Sequence, residues 1–575
     1  MLFVLGIHDG HGATACLVRD GRIVACVSEE RFTRIKNQWG YPKEAVDWCL
    51  EHEGIAASDL DSVVLASYHL PRAVYDDKKT VHGAAARIAY WGTEVERNLP
   101  SRGARFVSKV YRMTDGVMHL RQRKSLIASS LGLSEDRIIV VDHHEAHAYT
   151  TLLCSQFRKE TLVLTMDGEG DGLCSTVSAI EEDSLHRLVS SSYTSSLGYL
   201  YRWTTKYLGM KPNEHEYKVM GLAPYAAARD AFKVYRKMRP LIKTNDDGSF
   251  TSAINMRYAD KWLKSELYGT RFDWVAGGVQ MVAEDVLSTW VATLLDKYCY
   301  SRLALGGGVF MNVKANMVLS ELPQVEQLFV MPSCGDESLA IGAALMGYGR
   351  LRGRSNWLPD IPPLAHLYLG PEYEASESNI KRLINTRSIE MQHHTDIDGA
   401  IADLLSEGKV VGRFSGRAEW GARALGNRSI LARADNIDVV EEINNMIKQR
   451  DFWMPFAPTI LSDRESDYII NPKHFPAPYM IMAFRSSRLG QRDLRAAMHP
   501  SDRTLRPQIL DPNWNPHYYS VLKQFEKRTG IGGILNTSFN LHGEPIVNSI
   551  EDAVSTFSRS GLRYLALGEF LLSKS

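Results

Sequence analysis

The chain has 575 residues, of which 44% are hydrophobic, and its 67 basic side chains balance 67 acidic ones. This length can bury large cores and predicts at least two domains, while a formal net charge of zero gives no reason to expect a nucleic acid or a membrane surface as partner. The seven cysteines are scattered and form no CxxC pair, and no apolar run reaches membrane-spanning length, so the sequence predicts a soluble cytoplasmic enzyme.

The first predicted element is a β-hairpin around a glycine-rich turn. Apolar runs at 3–7 and 14–18 flank the turn Asp9–Gly12, and a third run at 22–27 follows a second turn. A similar pattern returns at 162–180. Such loops let backbone N–H groups approach phosphate oxygens, although each alone is also compatible with a plain hairpin turn. The repetition favours a duplicated α/β architecture with one ligand between the halves.

The most informative motif is the histidine-rich segment 142–147. His143 and His147 are four residues apart, so a helix places both imidazoles on one face, where they can bind one metal ion. Asp167 follows the apolar run 161–165, and a strand ending there would present its carboxylate as a third ligand. Two imidazoles and a carboxylate suit Fe(II), Mn(II) or Zn(II) without choosing among them. The alternative is a helix start with solvated histidines.

Two further glycine turns follow predicted strands. The run 302–305 leads into the glycines at 306–308 and then Asn312 at the start of a predicted helix, which suits close passage of a nucleotide beside the helix N-terminus. Asp336 is another carboxylate after a strand, ahead of a predicted helix at 339–345. It could equally be only the N-cap of that helix.

A basic and then Pro-rich stretch at 349–371 marks the main predicted domain boundary, which we place between residues 360 and 361. Beyond it, Arg423 and Arg428 alternate with glycines. Guanidinium groups bind phosphate and carbonyl oxygens bidentately, so this region predicts an anion pocket, with a solvated basic face as the alternative. The segments 444–458 and 532–547 add a lysine, amides and hydroxyls to the predicted pocket.

These motifs together resemble the O-carbamoyltransferases of the nodulation-protein-U and cephamycin-carbamoyltransferase family, over essentially the whole chain. The matching segments are 28–34, 143–147, 217–225, 306–312, 335–344, 423–429 and 536–540. The resemblance implies an α/β fold in both parts. Residues 1–360 would form a TsaD-like domain of the actin, heat-shock ATPase and sugar-kinase superfamily, and residues 361–575 a YrdC-like domain.

The resemblance also implies an ATP-dependent O-carbamoyltransferase. Carbamoyl phosphate and ATP would give carbamoyl-adenylate in the C-terminal domain, with release of phosphate and pyrophosphate. The N-terminal domain would transfer the carbamoyl group to a hydroxyl of a small natural product or sugar, releasing AMP. The implied cofactors are Fe(2+), with Mn or Zn as substitutes, and Mg(2+) with ATP. The implied protein partner is a second copy in a homodimer, without nucleic acid or membrane.

The resemblance assigns roles to individual residues at matching positions. The metal ligands would be His143, His147, Asp167 and Asp336. The catalytic residues would be His8, Asp9, Lys448, Arg423 and Arg428. Substrate and nucleotide would be bound by Lys218, Gly306, Gly307, Gly308, Asn312, Arg506, Asn536 and Ser538. His8 and Asp9 are the candidates for positioning or deprotonating the acceptor hydroxyl.

The chain departs from the family pattern at two positions. Met454 stands where many relatives carry an arginine, and Arg450 is the candidate substitute for the missing cation. Asn37 stands where relatives often have a histidine. The acceptor cleft is expected around 68–123 and 193–216, with ordinary surface helices and loops as the alternative for most of these residues.

Two other functions share the fold. One is a threonylcarbamoyl-adenylate enzyme that modifies tRNA, which the neutral net charge argues against because an RNA substrate calls for a basic surface. The other is a nucleotide-binding regulator without transfer activity.

Overall fold

The computed structural model describes residues 1–70, 115–181, 184–353, 358–384 and 389–574. It contains two compact units. The first comprises Met1–Val24 and Trp39–Leu364, and the second comprises Ala25–Gln38 and Ala365–Ser575. A short segment from near the amino terminus thus belongs to the second unit. Most of the expected acceptor region 68–123, namely 71–114, lies outside the described residues.

The α-helices of the described residues are, in chain order, α1 (Glu30–Thr33), α2 (Lys43–Glu53), α3 (Asp115–Leu131), α4 (His143–Cys154), α5 (Leu197–Tyr207), α6 (Glu216–Leu222), α7 (Ala228–Met238), α8 (Ala259–Glu266), α9 (Phe272–Tyr298), α10 (Val313–Glu321), α11 (Leu339–Arg352), α12 (Glu377–Leu383), α13 (Ile397–Ser406), α14 (Asp438–Ile443), α15 (Glu465–Tyr468), α16 (Arg488–Asp493), α17 (Pro516–Thr529) and α18 (Ile550–Arg559).

The strands are β1 (Phe3–His8), β2 (Thr14–Arg19), β3 (Arg22–Ser28), β4 (Ser62–Ala66), β5 (Ile138–Val141), β6 (Thr161–Gly170), β7 (Leu173–Glu181), β8 (Ser184–Ser192), β9 (Ile242–Thr244), β10 (Phe250–Ser252), β11 (Arg302–Gly306), β12 (Gln327–Val330), β13 (Ile389–His393), β14 (Val411–Phe414), β15 (Arg428–Arg433), β16 (Ala457–Leu461), β17 (Ile469–Ile470), β18 (Phe484–Ser486), β19 (Thr504–Leu505), β20 (Gln508–Leu510), β21 (Gly533–Ser538), β22 (Tyr564–Leu567) and β23 (Phe570–Lys574).

Besides the antiparallel pair β9-β10, the described residues of the first unit form two mixed sheets. In one, β2, β1, β4 and β5 lie side by side, with β1 antiparallel to β2 and parallel to β4, and β4 parallel to β5. In the other, the order is β12-β11-β6-β7-β8, in which β12, β11 and β6 are parallel. Helix α11 packs against β1 and β4, and α4 packs against β6 and α11. Because these parallel strands are buried on both faces, they are nearly continuous apolar runs.

The second unit is built on an eight-stranded sheet of order β13-β23-β22-β14-β15-β21-β16-β20, with a separate three-stranded sheet β17-β18-β19. Helices α13 and α17 pack together over its core, where Leu405, Leu431 and Phe525 are fully buried. Both units are therefore mixed α/β structures, which confirms the predicted fold class. None of the described helices is both long and apolar enough to cross a membrane.

Candidate metal and anion sites

Helix α4 presents His143 and His147 on one face, as predicted from their spacing. The helix begins after Asp142, whose carboxylate caps it by accepting a hydrogen bond from the N–H of Glu145 at 2.9 Å. The two imidazole ring centres lie 4.8 Å apart. Both side chains are buried, with 1% exposure, so they are core groups and not solvated histidines.

Asp167 and Asp336 join the two histidines in a group that we call the metal cluster. One potential ligand atom from each of the four residues lies within 4.8 Å of the others. The Nε2 atom of His147 is 3.1 Å from Asp167 Oδ2, and Nε2 of His143 is 3.7 Å from the same oxygen. Asp336 Oδ1 lies 3.8 Å from Nε2 of His143 and 3.9 Å from Nε2 of His147. The structure thus brings all four predicted ligands together.

The atoms that face the centre of the metal cluster fit a metal ion. Neither Nε2 nor Asp167 Oδ2 makes a hydrogen bond to a group outside the cluster, although all three atoms are buried. Unpaired buried polar atoms are costly, and several of them converging on one point indicate a missing common partner. Two imidazoles and two carboxylates match the ligand preference of Fe(II), Mn(II) and Zn(II).

The histidines and aspartates of the metal cluster shift one another's pKa values towards the charged forms. Burial alone would lower the pKa of His147, but Asp167 and Asp336 raise it to about 9. Burial alone would raise the pKa of Asp167, but His147 and His143 hold it well below its usual range. A positive charge between the carboxylates is therefore favoured, and a metal ion binding there would displace protons from the histidines.

Glycines surround the metal cluster because no side chain fits beside it. A Cβ atom at Gly170 would lie 2.0 Å from Cδ2 of His143, and one at Gly307 would lie 2.6 Å from Asp167 Oδ2. The N–H of Gly308 donates a hydrogen bond to Asp167 Oδ1 at 2.5 Å. The loop after β11, predicted for a nucleotide, thus fixes Asp167, one of the predicted metal ligands.

His8 lies at the end of β1, close enough to Asp336 for that carboxylate to influence its pKa. Burial dominates and lowers the pKa of His8 to about 4, so the imidazole is neutral at pH 7. Neither ring nitrogen makes a hydrogen bond. A neutral buried imidazole with an unused nitrogen can accept a proton from a substrate.

Asp9 differs from its neighbour because Arg123 binds both of its carboxylate oxygens. The Nε and Nη2 atoms of Arg123 lie 2.8 and 2.6 Å from Asp9 Oδ2 and Oδ1. This bidentate pairing favours an orienting role for Asp9. Sequence reasoning missed Arg123, since 114 residues separate the pair and no local pattern links them.

The remaining nucleotide candidates of the first unit have structural contacts of their own. Asn312 caps α10 by accepting a hydrogen bond from the N–H of Ala315 at 3.0 Å. It also exchanges two side-chain hydrogen bonds with Gln280, at 2.9 and 3.1 Å. Lys218 lies on α6 and is half-buried. Gly306 approaches the hydroxyl of Thr151 so closely that a Cβ would lie 2.1 Å from it.

The second unit concentrates positive charge in a group that we call the cation cluster: Lys36, Arg423, Lys448, Arg450 and Arg506. Burial and the charges of Arg423 and Arg450 lower the pKa of Arg506 well below its usual range. Burial, Arg450 and Lys36 do the same to the pKa of Lys448. Among the described residues, no carboxylate counteracts either shift. Lys36, which the sequence reasoning did not select, comes from the segment 25–38.

Lys448 is the most buried member of the cation cluster, with 3% exposure. It ends a single π-helical turn, Asn444–Lys448, a distortion often found at functional sites. Its ammonium group donates hydrogen bonds to the hydroxyl of Ser538 at 3.1 Å and to Asn540 Oδ1 at 2.7 Å. The structure thus joins two predicted residues, Lys448 and Ser538, at one point.

Asn536 and Arg428 are fully buried in the second unit. The amide of Asn536 donates to Thr459 Oγ1 at 3.0 Å, while its Oδ1 atom is buried without a hydrogen bond. Arg428 donates to the carbonyls of Ser415 and Gly416, and its guanidinium lies 3.6 Å from the centre of the Phe414 ring. These contacts favour a structural role for Arg428.

The two departures from the family pattern have local explanations. Asn37 has a φ of 55°, a left-handed conformation that asparagine tolerates, and its N–H donates to Glu30 at 2.8 Å. Arg450 donates to Thr537 Oγ1 at 3.0 Å and lies over the ring of Phe456. Arg450 therefore contributes a cation to the cluster from the same loop that carries Met454.

Comparison with known proteins identifies the family. The family model described as carbamoyltransferase N-terminus matches residues 4–345, and that described as carbamoyltransferase C-terminus matches residues 402–574. The nodulation protein NolNO of Sinorhizobium fredii is 32% identical over 99% of this chain and 79% of its own length. An uncharacterized protein of Synechocystis is 30% identical over 100% of this chain and 97% of its own.

Among solved structures, full-length HypF in its phosphate- and nucleotide-bound form matches 62% of this chain and 56% of its own, at 11% identity and a TM-score of 0.32. Both family matches and the curated relatives agree with the resemblance found in the motifs. The chain therefore belongs to the carbamoyltransferase family of enzymes.

Proposed function

We propose that this carbamoyltransferase forms carbamoyl-adenylate from carbamoyl phosphate and ATP at the cation cluster of the second unit. The buried ammonium group of Lys448, which donates hydrogen bonds to Ser538 and Asn540 and whose pKa burial, Arg450 and Lys36 lower, is the observation that carries the proposal. Buried cations that destabilise one another are stabilised when a polyanion binds between them. Carbamoyl phosphate and the triphosphate of ATP are both such anions.

The balance of atoms requires one water molecule in this first reaction. Water cleaves the carbamoyl–phosphate bond to give carbamate and phosphate. A carbamate oxygen then attacks the α-phosphorus of ATP, and the bond to pyrophosphate breaks. The guanidinium groups of Arg423, Arg450 and Arg506 offset the charge that develops on the phosphoryl oxygens. We expect Mg(2+) to accompany ATP.

The second reaction is proposed for the first unit, where the carbamoyl group passes to a hydroxyl of a small natural product or sugar. The hydroxyl oxygen attacks the carbamoyl carbon, the hydroxyl proton goes to His8, and the bond to AMP breaks. His143, His147, Asp167 and Asp336 would hold a metal ion, proposed to be Fe(2+), which supplies Lewis acidity. The neutral net charge supports a small acceptor over an RNA.

Exchange of labelled pyrophosphate into ATP tests the first reaction without knowledge of the acceptor. We expect exchange that depends on carbamoyl phosphate. Lys448→Met should lower its rate by about 100-fold or more, because a buried donor to the reacting oxygens is lost. The matched control is Lys381→Met, since Lys381 is an exposed lysine of the same unit that pairs with Glu377.

Absence of exchange in folded, metal-loaded protein would refute the proposal. Tight ATP binding without exchange would then indicate a regulator. Salt-sensitive binding of tRNA would instead indicate the RNA-modifying alternative.

A further inference from the structure

Both histidines of the metal cluster use their second ring nitrogen in the same way. The Nδ1 atom of His143 is 3.0 Å from the hydroxyl of Ser67, and Nδ1 of His147 is 3.1 Å from the hydroxyl of Ser338. Both serines are buried, with at most 1% exposure. Each ring therefore has Nδ1 hydrogen-bonded and Nε2 directed at Asp167 and Asp336.

The tautomer decides whether such a ring can bind a metal. A neutral imidazole carries one proton, and the nitrogen that binds a metal must be the other one. A serine oxygen can accept a hydrogen bond from Nδ1–H, which leaves the Nε2 lone pair free. The hydroxyl is not basic enough to remove this proton, whereas a carboxylate in its place would increase the negative charge of the ring.

The hydroxyl of Ser67 is held in place by an unusual backbone. Ser67 has a φ of 70°, and its N–H donates to the carbonyl of Val141 at 3.0 Å. Its carbonyl accepts a hydrogen bond from Arg123 at 2.9 Å. Arg123 also binds Asp9 and the carbonyls of Ala66 and Tyr68, so all five of its N–H groups are used.

Ser338 is held from the other side of the metal cluster. Its N–H donates to the carbonyl of Gly335 at 3.0 Å, in the short turn that also carries Asp336. Its carbonyl accepts a hydrogen bond from Thr150 at 3.0 Å, and Thr150 lies on α4 together with His147. The hydroxyl is thus tied to two ligand-bearing segments.

We infer that Ser67 and Ser338 are positioning residues that fix both histidines as neutral ligands through Nε2. This inference rests on the metal site of the proposed function. It assigns no role in proton transfer to either serine.

The test measures metal binding directly, by titrating the metal-free full-length protein with Co(II) and recording the visible absorption of the bound ion. Ser67→Ala and Ser338→Ala should each weaken binding by about 10- to 100-fold and alter the spectrum, since the rings lose their fixed orientation. Ser338→Thr retains a hydroxyl and should restore both affinity and spectrum.

Ser191→Ala is the matched control, because Ser191 is a buried serine of the same unit whose hydroxyl accepts a hydrogen bond from the N–H of Phe250 at 2.9 Å. If the Ser67 and Ser338 variants bind Co(II) as tightly as this control, the positioning role is overturned while the metal site stands. If the unaltered protein binds Co(II) no better than His147→Ala, the metal site falls as well. Pyrophosphate exchange by the serine variants should stay unchanged, which separates this inference from failure of the donor reaction.

Discussion

Through Lys448, the affinity of the proposed anion site in the second unit should depend on pH. The pKa of Lys448 is lowered well below 10.5 by burial and by the positive charges of Arg450 and Lys36. A bound dianion favours the ammonium form and raises the pKa again, so binding takes up a proton at any pH between the two values. We expect the affinity for the dianion to fall as the pH rises above the pKa of Lys448 in the free protein. The affinity should become constant again above the pKa of Lys448 in the complex.

Sulfate is a suitable probe because it remains a dianion throughout this range. Calorimetric titrations in two buffers with different ionisation enthalpies should report proton uptake on binding. Lys448→Arg keeps the charge but cannot lose its proton, so it should bind sulfate without uptake. Equal proton uptake by the two proteins would show that another group is responsible.

At the level of single residues, the sequence predicted groups that act locally. The i, i+4 spacing of His143 and His147 and the strand-end position of Asp167 predicted three members of the metal cluster, and the resemblance supplied the role of Asp336. No sequence pattern marks Ser338 as a partner of His147. The two residues are 191 positions apart, and nothing in the sequence distinguishes this serine from other buried serines. Arg428 is the opposite case, a residue that the sequence selected and whose contacts are structural. An arginine beside glycines can donate to backbone carbonyls, as Arg428 does, as well as to a bound anion.

At the level of elements, the metal cluster forms where parallel strands end. The chain leaves β1 at His8, β4 just before Ser67 and β5 just before Asp142, so one sheet edge delivers three groups. In the other sheet, the chain leaves β11 for the glycine loop and β12 for the turn at Asp336. Ligands commonly bind at the carboxyl ends of parallel strands.

Strand β6 differs from the prediction in an informative way. The apolar run predicted a strand ending before Asp167, whereas β6 continues to Gly170. Its pairing with β7 changes register between Met166 and Gly170. An irregularity of this kind changes the direction of the side chains. The alternation of apolar and polar residues does not reveal it, because residues 167–170 at the end of the strand are polar or glycine.

Gly170 is the point at which β6 meets helix α4. Gly170→Ala should lower metal affinity by at least about tenfold, because its Cβ would occupy the position of the His143 ring and displace this ligand. Metal content after equilibrium dialysis against limiting Co(II) measures the loss.

Gly168→Ala is the control on the same strand. Its Cβ would make only an ordinary contact, 3.9 Å from Tyr199, so metal content should stay near that of the unaltered protein. An equal loss of metal content in both variants would contradict this explanation. It would mean that any added side chain at this end of β6 disturbs metal binding, whether or not it meets His143.

At the level of the whole molecule, the division into units does not follow the chain. Residues 25–38 belong to the second unit, where Arg31 donates to the carbonyl of Gly421 at 2.7 Å and Arg34 to that of Ile546 at 2.7 Å. The sequence could not predict this, because both contacts join segments about 400 residues or more apart. A fragment beginning at residue 365 would lack these contacts and Lys36.

The two sites lie in different units, so the two half-reactions should be separable by mutation. His147→Ala should lower carbamoyl transfer by more than about 100-fold, since a lost metal ion removes several kcal/mol of charge stabilisation. It should leave pyrophosphate exchange nearly intact. Lys448→Met should lower exchange by about 100-fold or more and lower overall transfer with it. A screen of hydroxyl acceptors with labelled carbamoyl phosphate measures transfer, and the exchange assay measures the adenylate.

Metal removal provides the same comparison without a mutation. Chelation of the unaltered protein should stop transfer and spare exchange measured with Mg(2+) restored, and added Fe(2+) should recover transfer. In His147→Ala, added Fe(2+) should recover nothing, because a ligand and not only the ion is missing. Equal loss of both half-reactions, in a variant that unfolds like the unaltered protein, would contradict the assignment of the metal cluster to carbamoyl transfer and place it in adenylate formation as well.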